Sequence, residues 1–271
     1  MLIQLPEEKK ALIFPLFKNR QPNTSALWCY FDGILPGKTF VDDINAPTKA
    51  ICQLNMSWVY ISDDADFEWI EETLREIIKH AWIQVVWTPE RGSKFPLAEL
   101  STVIPRHEYT QRNAIEQKPR DVEIKSYDSE LYEKVPWKKF HERVYGSKEN
   151  FLKIAFGFYA IENGEICSES EAAFTARGVT ELGIITDDDK QRKGFAFAVC
   201  IKTLEEVEKR DLTPIWACDV ENLASMKLSE KLGFINPVKY NFIFFPQKNE
   251  TVDIRKNNVV KLKNEKTSVK K

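Results

Sequence analysis

The segment QRKGFA, residues 191–196, has the residue types of an anion-binding turn. Gly194 and Ala196 are small, so the main chain can approach a ligand closely there, and Arg192 and Lys193 add positive charge. The segment opens directly into an amphipathic helix. The first N–H groups of a helix lack intrahelical partners, and the helix dipole favours negative charge at that end. The sequence therefore predicts an anion site made of main-chain N–H groups.

Two glutamates on neighbouring predicted strands are candidates for proton transfer. Glu181 lies in VTELGIIT and Glu169 lies in EICSESEAAFTA. A carboxylate whose pKa is tuned by its surroundings can accept a proton during a reaction. The alternative is a solvated carboxylate on a strand face, and a β-bulge would change which face that is. The two carboxylates could lie close together across the sheet.

Several other kinds of site find no support in the sequence. The chain has five cysteines without any CxxC pair, which is typical of reduced thiols, and its three histidines are far apart, which argues against a metal centre. Cys218 follows a run of apolar residues and has no histidine near it in the sequence, so we expect a buried thiol rather than a nucleophile. Neither GxxxxGK[ST] nor a GxGxxG after a strand occurs.

The elements that must position these residues alternate between strands and helices. Two helical segments, DSELYEKV and PWKKFHERVYG, precede a hairpin whose turn is the Asn-Gly pair at 163–164. The strand VTELGIIT runs into QRKGFA, and apolar residues then recur at helical spacing from Phe197 to Val207. The strand TPIWACD follows that helix. This order places both the predicted anion site and Glu181 around one strand.

A second helix follows TPIWACD. Asn222 is suited to cap its start and Gly233 to end it. Its residues Ala224, Leu228 and Leu232 are expected to face inward. The segment YNFIFF is predicted to be the last strand.

The first half of the chain predicts strands and one helix without a catalytic constellation. The segments LWCYFDG, KTFVDD, KAICQLN and SWVYISDD are predicted as strands, and a helix from Phe67 to Ile78 precedes the strand IQVVW. The polar, proline-containing segment from Gln111 to Asp121 suggests a domain boundary. We therefore expect an α/β domain at 1–118, a second domain at 119–247 and a tail at 248–271.

The charge distribution narrows the range of partners. The net charge is −2, but from Lys248 onward 8 Lys/Arg stand against 3 Asp/Glu, so residues 1–247 carry −7. The basic tail lacks interleaved aromatic residues, so we expect a solvated end rather than a nucleic-acid site. No apolar run approaches the ~20 residues that span a bilayer, and no secretory signal precedes the first strand. A cytoplasmic protein without nucleic-acid or membrane partners is expected.

The order of strand, QRKGFA loop, helix, strand and Asn-capped helix resembles the GNAT N-acetyltransferase superfamily. That family's loop follows Gln/Arg-x-x-Gly-x-Gly/Ala, which Gln191, Gly194 and Ala196 match. Its later Asn-x-x-Ala/Ser element and the LGF that ends the next helix match Asn222, Ser225 and residues 232–234. The resemblance covers about residues 125–246. It implies an α/β fold with a mixed, mainly antiparallel sheet flanked by helices, here preceded by a smaller α/β domain.

The resemblance also implies a cosubstrate, acetyl-CoA, and the positions that hold it. The strand backbone near residue 185 would pair with the pantetheine arm, the loop amides would hold the pyrophosphate, and Asn222 would lie beside the pantetheine, besides its alternative role as a helix cap. No metal is implied. The implied acetyl-CoA contacts are Ile184, Ile185, Thr186, Gln191, Arg192, Lys193, Gly194, Phe195, Ala196, Asn222 and Ser225.

The reaction implied by the resemblance is direct transfer of an acetyl group to a primary amine in a ternary complex. A main-chain N–H near Ile185 or Thr186 would stabilise the thioester oxygen. Glu181, or failing that Glu169, would accept the amine's proton. Many members have a tyrosine seven residues after the asparagine, where this chain has Ser229. Either another group, Tyr240 or water, protonates the leaving thiolate, or no donor is needed because a thiolate is a tolerable leaving group.

Some alternatives stay open at this point. Three carboxylates, at 187–189, precede the loop and are expected to be solvated on the turn, although one of them could attract a cationic amine. The N-terminal half could be a degenerate copy of the same fold. A non-catalytic acyl-CoA-binding sensor is the main alternative function, and a module binding through the basic tail is a third. GFYAIENGEICSES and TPIWACDVEN further resemble a bacterial subgroup that includes zwittermicin-resistance acetyltransferases. The acceptor amine and any homodimer stay open.

Overall fold

A computed structural model describes residues 2–247 of the chain. Its centre is a twelve-stranded, mostly antiparallel sheet with helices on its faces, so the predicted fold class is confirmed. The basic tail at 248–271 lies outside the described residues. Within the described residues, no helix combines the length and apolar character needed to cross a membrane.

The first half of the chain forms seven strands and two α-helices, joined in places by short 3-10 turns. In chain order these are β1 (Ile3–Gln4), α1 (Thr24–Phe31), β2 (Gly37–Val41), β3 (Ala50–Leu54), β4 (Trp58–Ile61), α2 (Phe67–Ile77), β5 (Ile83–Trp87), β6 (Thr102–Tyr109) and β7 (Gln111–Arg112).

The second half supplies the remaining strands and helices. They are β8 (Glu123–Ser126), α3 (Ser129–Tyr132), α4 (Lys138–Tyr145), α5 (Lys148–Ile154), β9 (Phe156–Glu162), β10 (Glu165–Ala176), β11 (Val179–Thr186), α6 (Phe195–Lys209), β12 (Thr213–Asp219), α7 (Leu223–Lys231), β13 (Phe234–Ile235) and β14 (Val238–Phe245).

The two halves of the chain contribute to one sheet through exchanged strands. The strand order is β1-β2-β3-β4-β5-β14-β6-β12-β11-β10-β9-β8. Strand β14 from the second half pairs with β5, and β6 from the first half pairs with β12, while β6 and β14 pair with each other. The same succession, an antiparallel meander, a helix and a parallel strand, occurs in β2 to β5 and in β9 to β12. The sheet is therefore continuous across the polar segment, of which residues 113–121 form neither helix nor strand.

The prediction of a strand at LWCYFDG is wrong. Residues Thr24–Phe31 form α1, which packs against β10 and β11 and is buried at most positions. A short, nearly continuous apolar run fits a buried helix as well as a buried strand, so its periodicity could not separate the two. The other predicted elements of the first half, including the strands at KTFVDD, KAICQLN, SWVYISDD and IQVVW, are confirmed.

The hairpin before the predicted anion site is confirmed. Strands β9 and β10 are joined at Asn163 and Gly164, whose φ angles are 54° and 78°. Both central residues of a type I′ turn need positive φ, which explains the Asn-Gly pair. The register of β10 and β11 shifts at a β-bulge between Ala172 and Phe174. This irregularity sets which side chains of β10 share a face with those of β11.

The helices after β11 differ from expectation at one position. Helix α6 buries Phe197, Leu204 and Val207 as predicted. In α7, Leu232 is buried just after the last turn, but Ala224 is exposed, so its inward orientation is wrong. Ser229 is the residue of this helix that is buried instead. Gly233 ends the helix with φ at 88°, as predicted.

Candidate active site

Strands β11 and β12 separate in the middle of the sheet. They are parallel and pair only over Val179–Glu181 with Thr213–Ile215. Beyond that point β12 pairs with β6, and β11 continues along β10 as far as Thr186. Among the described strands, none pairs with the β12 side of β11 from Leu182 onward. An open strand edge can accept an extended chain by main-chain hydrogen bonds.

The QRKGFA loop lies between this open edge and the start of α6. Arg192 and Gly194 have φ angles of 61° and 85°, and α6 begins at Phe195. None of the N–H groups of residues 192–197 donates to a main-chain carbonyl in the described part of the chain. Arg192 and Lys193 are exposed beside them. The geometry therefore fits an anion cradle at the head of a fifteen-residue helix.

Arg120, which sequence reasoning missed, lies across this loop. Its Nη1 atom donates to the carbonyl of Lys193 at 2.8 Å, and its guanidinium stacks 4.3 Å from the ring centre of Phe195. A Cβ added to Gly194 would come within 3.3 Å of the Cδ atom of Arg120. Glycine at 194 is therefore suited both to the left-handed φ and to this close approach.

Asn222 and Ser225 lie at the start of α7. The Oδ1 atom of Asn222 accepts from the N–H of Ser225 at 3.1 Å, so the helix-cap interpretation is confirmed. The Oγ atom of Ser225 accepts from Nε1 of Trp216 on β12 at 3.1 Å. These bonds fix the helix start against the strand that separates from β11. A further contact of Asn222 with a ligand stays a prediction.

Glu181 is held at the point where β11 and β12 separate. It is only 7% exposed, and Nδ2 of Asn23 lies 3.0 Å from each of its carboxylate oxygens. Asn23 is held in turn: its Oδ1 accepts from the hydroxyl of Tyr240 at 2.5 Å, and its carbonyl accepts from that of Tyr60 at 2.9 Å. Glu181 thus belongs to a buried network that ties the start of α1 to the sheet.

The network continues into strands β6 and β14. Nε of Arg106 donates to the hydroxyl of Tyr240 at 2.7 Å, and the same guanidinium forms an ion pair with Asp219. Arg106 is opposite Asp219 on β12 and opposite Tyr240 on β14. Burial raises the pKa of Tyr240, and Arg106 only partly opposes this effect. The predicted role of Tyr240 as a proton donor to the thiolate stays a prediction.

Glu169 lies in a second polar cluster on the same face of the sheet. Its Oε1 atom is 2.6 Å from Nε2 of His141 on α4, and both side chains are fully buried. The imidazole stacks on Phe151 at 4.0 Å. Burial favours the neutral imidazole, but the hydrogen bond and the charge of Glu169 outweigh it, so the pKa of His141 is raised.

The register does not bring Glu181 and Glu169 together. Glu169 is opposite Ile185, while Glu181 is opposite Phe174 beyond the bulge. The residue between them on this face is Glu171, opposite Gly183. The bulge turns Glu169 and Glu171 to the same face as Glu181, but it leaves Glu169 level with Ile185, four residues further along β11.

Glu171 is a candidate that sequence reasoning missed. It is 5% exposed, and burial raises its pKa to about 7, an effect that His141 opposes and Glu169 reinforces. Burial likewise raises the pKa of Glu181 to about 7, against the hydrogen bond from Asn23. The spacing of Glu169 and Glu171, two residues apart on one strand face, was the available signal.

His141, Glu169 and Glu171 offer ligand-type atoms that lie within 4.8 Å of one another. Two ligands of one tetrahedral zinc ion are roughly 3.3 Å apart, given bonds of about 2.0 Å. The 2.6 Å contact between His141 and Glu169 is shorter and fits a hydrogen bond. The cluster is therefore best described as a hydrogen-bonded pair beside a third carboxyl group.

The remaining predicted positions are placed as follows. Ser229 is buried, and its Oγ donates to the carbonyl of Met226 at 2.8 Å. Cys218 is buried, as expected, and burial raises the pKa of its thiol. Asp188 and Asp189 are exposed on the turn before the loop, and Asp188 accepts from Nε2 of Gln191 at 3.1 Å.

Comparisons with known proteins identify the family and the fold. A family model described as GNAT acetyltransferase matches residues 15–243. The uncharacterized N-acetyltransferase YdfB of Bacillus subtilis (strain 168) is 26% identical over 105 residues, which are 39% of this chain and 40% of that protein. The chain thus matches about two fifths of the length of this curated relative.

Solved structures share the fold over most of their length. A GCN5-related N-acetyltransferase-like protein from Streptococcus suis 89/1591 superposes with a TM-score of 0.67 at 20% identity, covering 88% of this chain and 98% of that one. A tandem GNAT protein from the clavulanic acid biosynthesis pathway gives a TM-score of 0.57 at 10% identity, covering 90% and 98%. At these identities the likeness concerns the fold.

Proposed function

This chain belongs to the GNAT acetyltransferase family, and we propose that it transfers an acetyl group from acetyl-CoA to a primary amine. The observation that carries the proposal is the pairing of an open β11 edge with an uncommitted row of N–H groups at the head of α6. An extended pantetheine arm needs the first feature, and a pyrophosphate needs the second.

The donor is held largely by main-chain groups. Residues 184–186 offer the strand edge, and residues 192–196 offer the N–H donors. Arg192 and Lys193 are exposed at the same loop and add positive charge toward the phosphates. Every described cysteine is buried, so the thiol that the reaction releases comes from coenzyme A and not from the protein surface.

The transfer needs one proton acceptor on the protein. The amine nitrogen forms a bond to the thioester carbon, the carbon–sulfur bond breaks, and coenzyme A leaves. An alkylammonium with a pKa of about 10 must first lose a proton, and a buried carboxylate can take it. A thiol pKa of about 8.5 makes the thiolate a good leaving group, so Ser229 in place of a tyrosine is compatible with turnover.

Release of free thiol tests this proposal. Full-length protein is mixed with acetyl-CoA and, in turn, an aminoglycoside, a polyamine, free lysine and a lysine-containing peptide. We expect thiol release that requires both the amine and the protein, with acetylated amine seen by mass spectrometry. Calorimetric binding of acetyl-CoA without release for any amine would favour an acyl-CoA sensor instead.

Substitutions in the loop test its role in donor binding, and a substitution elsewhere on α6 is the matched control. Arg192→Gln and Lys193→Gln should weaken acetyl-CoA binding, more so at low salt, because screening already reduces exposed charge interactions at high salt. Lys202→Gln lies on the exposed side of α6 and should bind as the unaltered protein does. Equal effects of all three substitutions would contradict the assignment of the loop.

A further inference from the structure

We infer that Glu171 is the group that accepts the proton of the attacking amine, and that Glu181 is a positioning residue. The inference rests on the proposed acetyl transfer. It departs from the sequence, which favoured Glu181 with Glu169 second. Three features of the structure carry it: the place of the Glu171 carboxyl group, the way Glu181 is held, and the groups that surround Glu171.

The carboxyl group of Glu171 lies directly against the backbone of β11. A Cβ added at Gly183 would be 2.8 Å from both Cγ and Oε1 of Glu171. The φ angle of Gly183 is not in the left-handed region, so backbone conformation does not require glycine there. Gly183 is the second residue beyond the last β11–β12 pair. The missing side chain therefore lets the carboxyl group reach the open edge of the strand.

Glu181 is committed to the network that holds α1. Both of its oxygens are within hydrogen-bond distance of Asn23, whose amide is itself fixed by Tyr240. A carboxylate that accepts hydrogen bonds in its charged form has less capacity to meet an incoming ammonium group. Its opposite residue on β12 is Ile215, within the paired part of the two strands. Glu181 thus lies behind the open edge rather than beside it.

Glu171 keeps its lone pairs nearly free. The hydroxyl of Tyr145 is 3.5 Å from Oε2, but it donates to the carbonyl of Ala173 at 2.6 Å, which is the stronger bond. Within the described residues no other side chain donates to Glu171. A proton acceptor needs this free capacity.

The charged groups around Glu171 shift its pKa in opposite directions. His141 on α4 favours the ionised carboxylate, whereas Glu169 on β10 and Glu181 on β11 favour the protonated form. The phenols of Tyr145, Tyr159 and Tyr127 also interact with the charge of Glu171. With its pKa at about 7, the carboxyl group can both take up and return a proton near neutral pH.

The proton balance of the step is simple. The ammonium group gives one proton to the Glu171 carboxylate, and the free amine then forms the nitrogen–carbon bond. The carbon–sulfur bond breaks with its electron pair going to sulfur. The nitrogen loses its second proton, which ends on the thiolate. Glu171 returns its own proton to solvent before the next turnover.

The test compares two isosteric variants with the amine that turns over fastest. Glu171→Gln should lower kcat about 100-fold or more, in line with the usual contribution of general base catalysis, and should remove the acidic limb near pH 7 from the kcat/KM profile. Glu181→Gln should lower kcat less than about 10-fold and keep that limb, because a positioning residue does not itself take the proton.

A second variant covers the case in which Glu171→Gln misfolds. Gly183→Ala forces the Glu171 side chain into another rotamer, while its nearest contacts include no backbone atom, so the protein should fold and still bind acetyl-CoA by calorimetry. It should lower kcat about 10-fold, and it should cause no further loss in a protein that already carries Glu171→Gln.

Each outcome decides the question. A lost acidic limb in Glu181→Gln, with the limb intact in Glu171→Gln, would overturn the inference while leaving acetyl transfer established. Additive losses for Gly183→Ala and Glu171→Gln would do the same. If the unaltered protein binds acetyl-CoA but acetylates none of the amines, the proposed function fails, and the role of Glu171 fails with it.

Discussion

Asn23 and Glu181 are 158 positions apart in the chain, yet Nδ2 of Asn23 lies 3.0 Å from each oxygen of the Glu181 carboxylate. This contact joins the start of α1 to the last rung of the β11–β12 pair. A residue of the N-terminal half therefore fixes a side chain of the candidate site. The first half of the chain is thus part of the site's construction, although it lacks a catalytic constellation of its own.

Asn23→Ala should lower the free energy of unfolding by about 3 kcal/mol. The substitution leaves the buried partners of Asn23 without hydrogen bonds, and it puts alanine in a left-handed conformation that asparagine tolerates better. Urea unfolding followed by circular dichroism measures this change. Asn163→Ala is the matched control, since Asn163 has a similar φ of 54° in an exposed turn. The control variant should lose about 1 kcal/mol of unfolding free energy, because only the left-handed conformation of the new alanine is unfavourable there. Equal losses would show that the network around Asn23 adds nothing.

Arg120→Ala should raise KM for acetyl-CoA about 5-fold and leave kcat unchanged. An interaction that stabilises the bound substrate and the transition state equally affects KM alone when it is removed. Arg120 fixes the loop through the Lys193 carbonyl. Arg210→Ala removes an arginine that also stacks on an aromatic ring, Phe156, and pairs with a carboxylate, but far from the loop. Steady-state kinetics of both variants should separate them, and a matching rise in KM for Arg210→Ala would contradict the loop's role.

The buried carboxyl groups should make stability fall as pH rises. The pKa values of Glu171 and Glu181 are raised from 4.5 to about 7, so the folded protein binds more protons than the unfolded chain between these values. Their favourable contribution is fully present below about pH 4.5 and is lost as pH passes 7.

The variant Glu171→Gln/Glu181→Gln should therefore show a flatter stability profile between pH 4.5 and 7. The difference from the unaltered protein should be of the order of a few kcal/mol, since one pKa unit corresponds to about 1.4 kcal/mol. Urea midpoints measured across this range provide the test. Glu230→Gln, at an exposed position, should keep the original slope. A variant profile parallel to the original would contradict the raised pKa values.

Phe242→Ala should lower the unfolding midpoint of both halves of the chain together. Phe242 lies on β14, is 1% exposed, and its ring centre is 5.3 Å from that of Trp58 and 4.3 Å from the Arg106 guanidinium. Removing a buried phenylalanine side chain costs about 3–5 kcal/mol. Tryptophan fluorescence and circular dichroism should report one coincident, shifted transition. Val238→Ala on the same strand, where the side chain is 43% exposed, should change the midpoint little. Two separated transitions would contradict this view.

Local signals were sufficient for several parts of the site. The Asn-Gly turn and the Asn222 cap depend on residues close together in the chain, and each has the expected geometry. Backbone preferences and capping act over a few residues, so they can be predicted from the local sequence. The helix stripe of α6 was predicted for the same reason.

Contacts between distant segments were beyond such reasoning. Arg106 meets the site because β6 lies between β12 and β14 in the sheet, and Asn23 meets it because α1 packs against β10 and β11. Glu171 became the candidate because the register of β10 and β11, which shifts at a bulge, places it opposite Gly183. Neither strand order nor a bulge has a local signature in these residues. The helix α1 was missed because its apolar run suits either element when buried.

The exchange of β6 and β14 has a practical consequence for anyone wishing to shorten this protein. A fragment starting at residue 119 would lack β5 and β6, which are the two neighbours of β14. Because β6 also pairs with Trp216–Asp219 on β12, that strand would lose its partner as well. Bare strand edges of this kind recruit other chains, so such a fragment should precipitate or oligomerise on expression. Truncation is therefore a poor route to a minimal catalyst, and co-production of the two pieces is the better one.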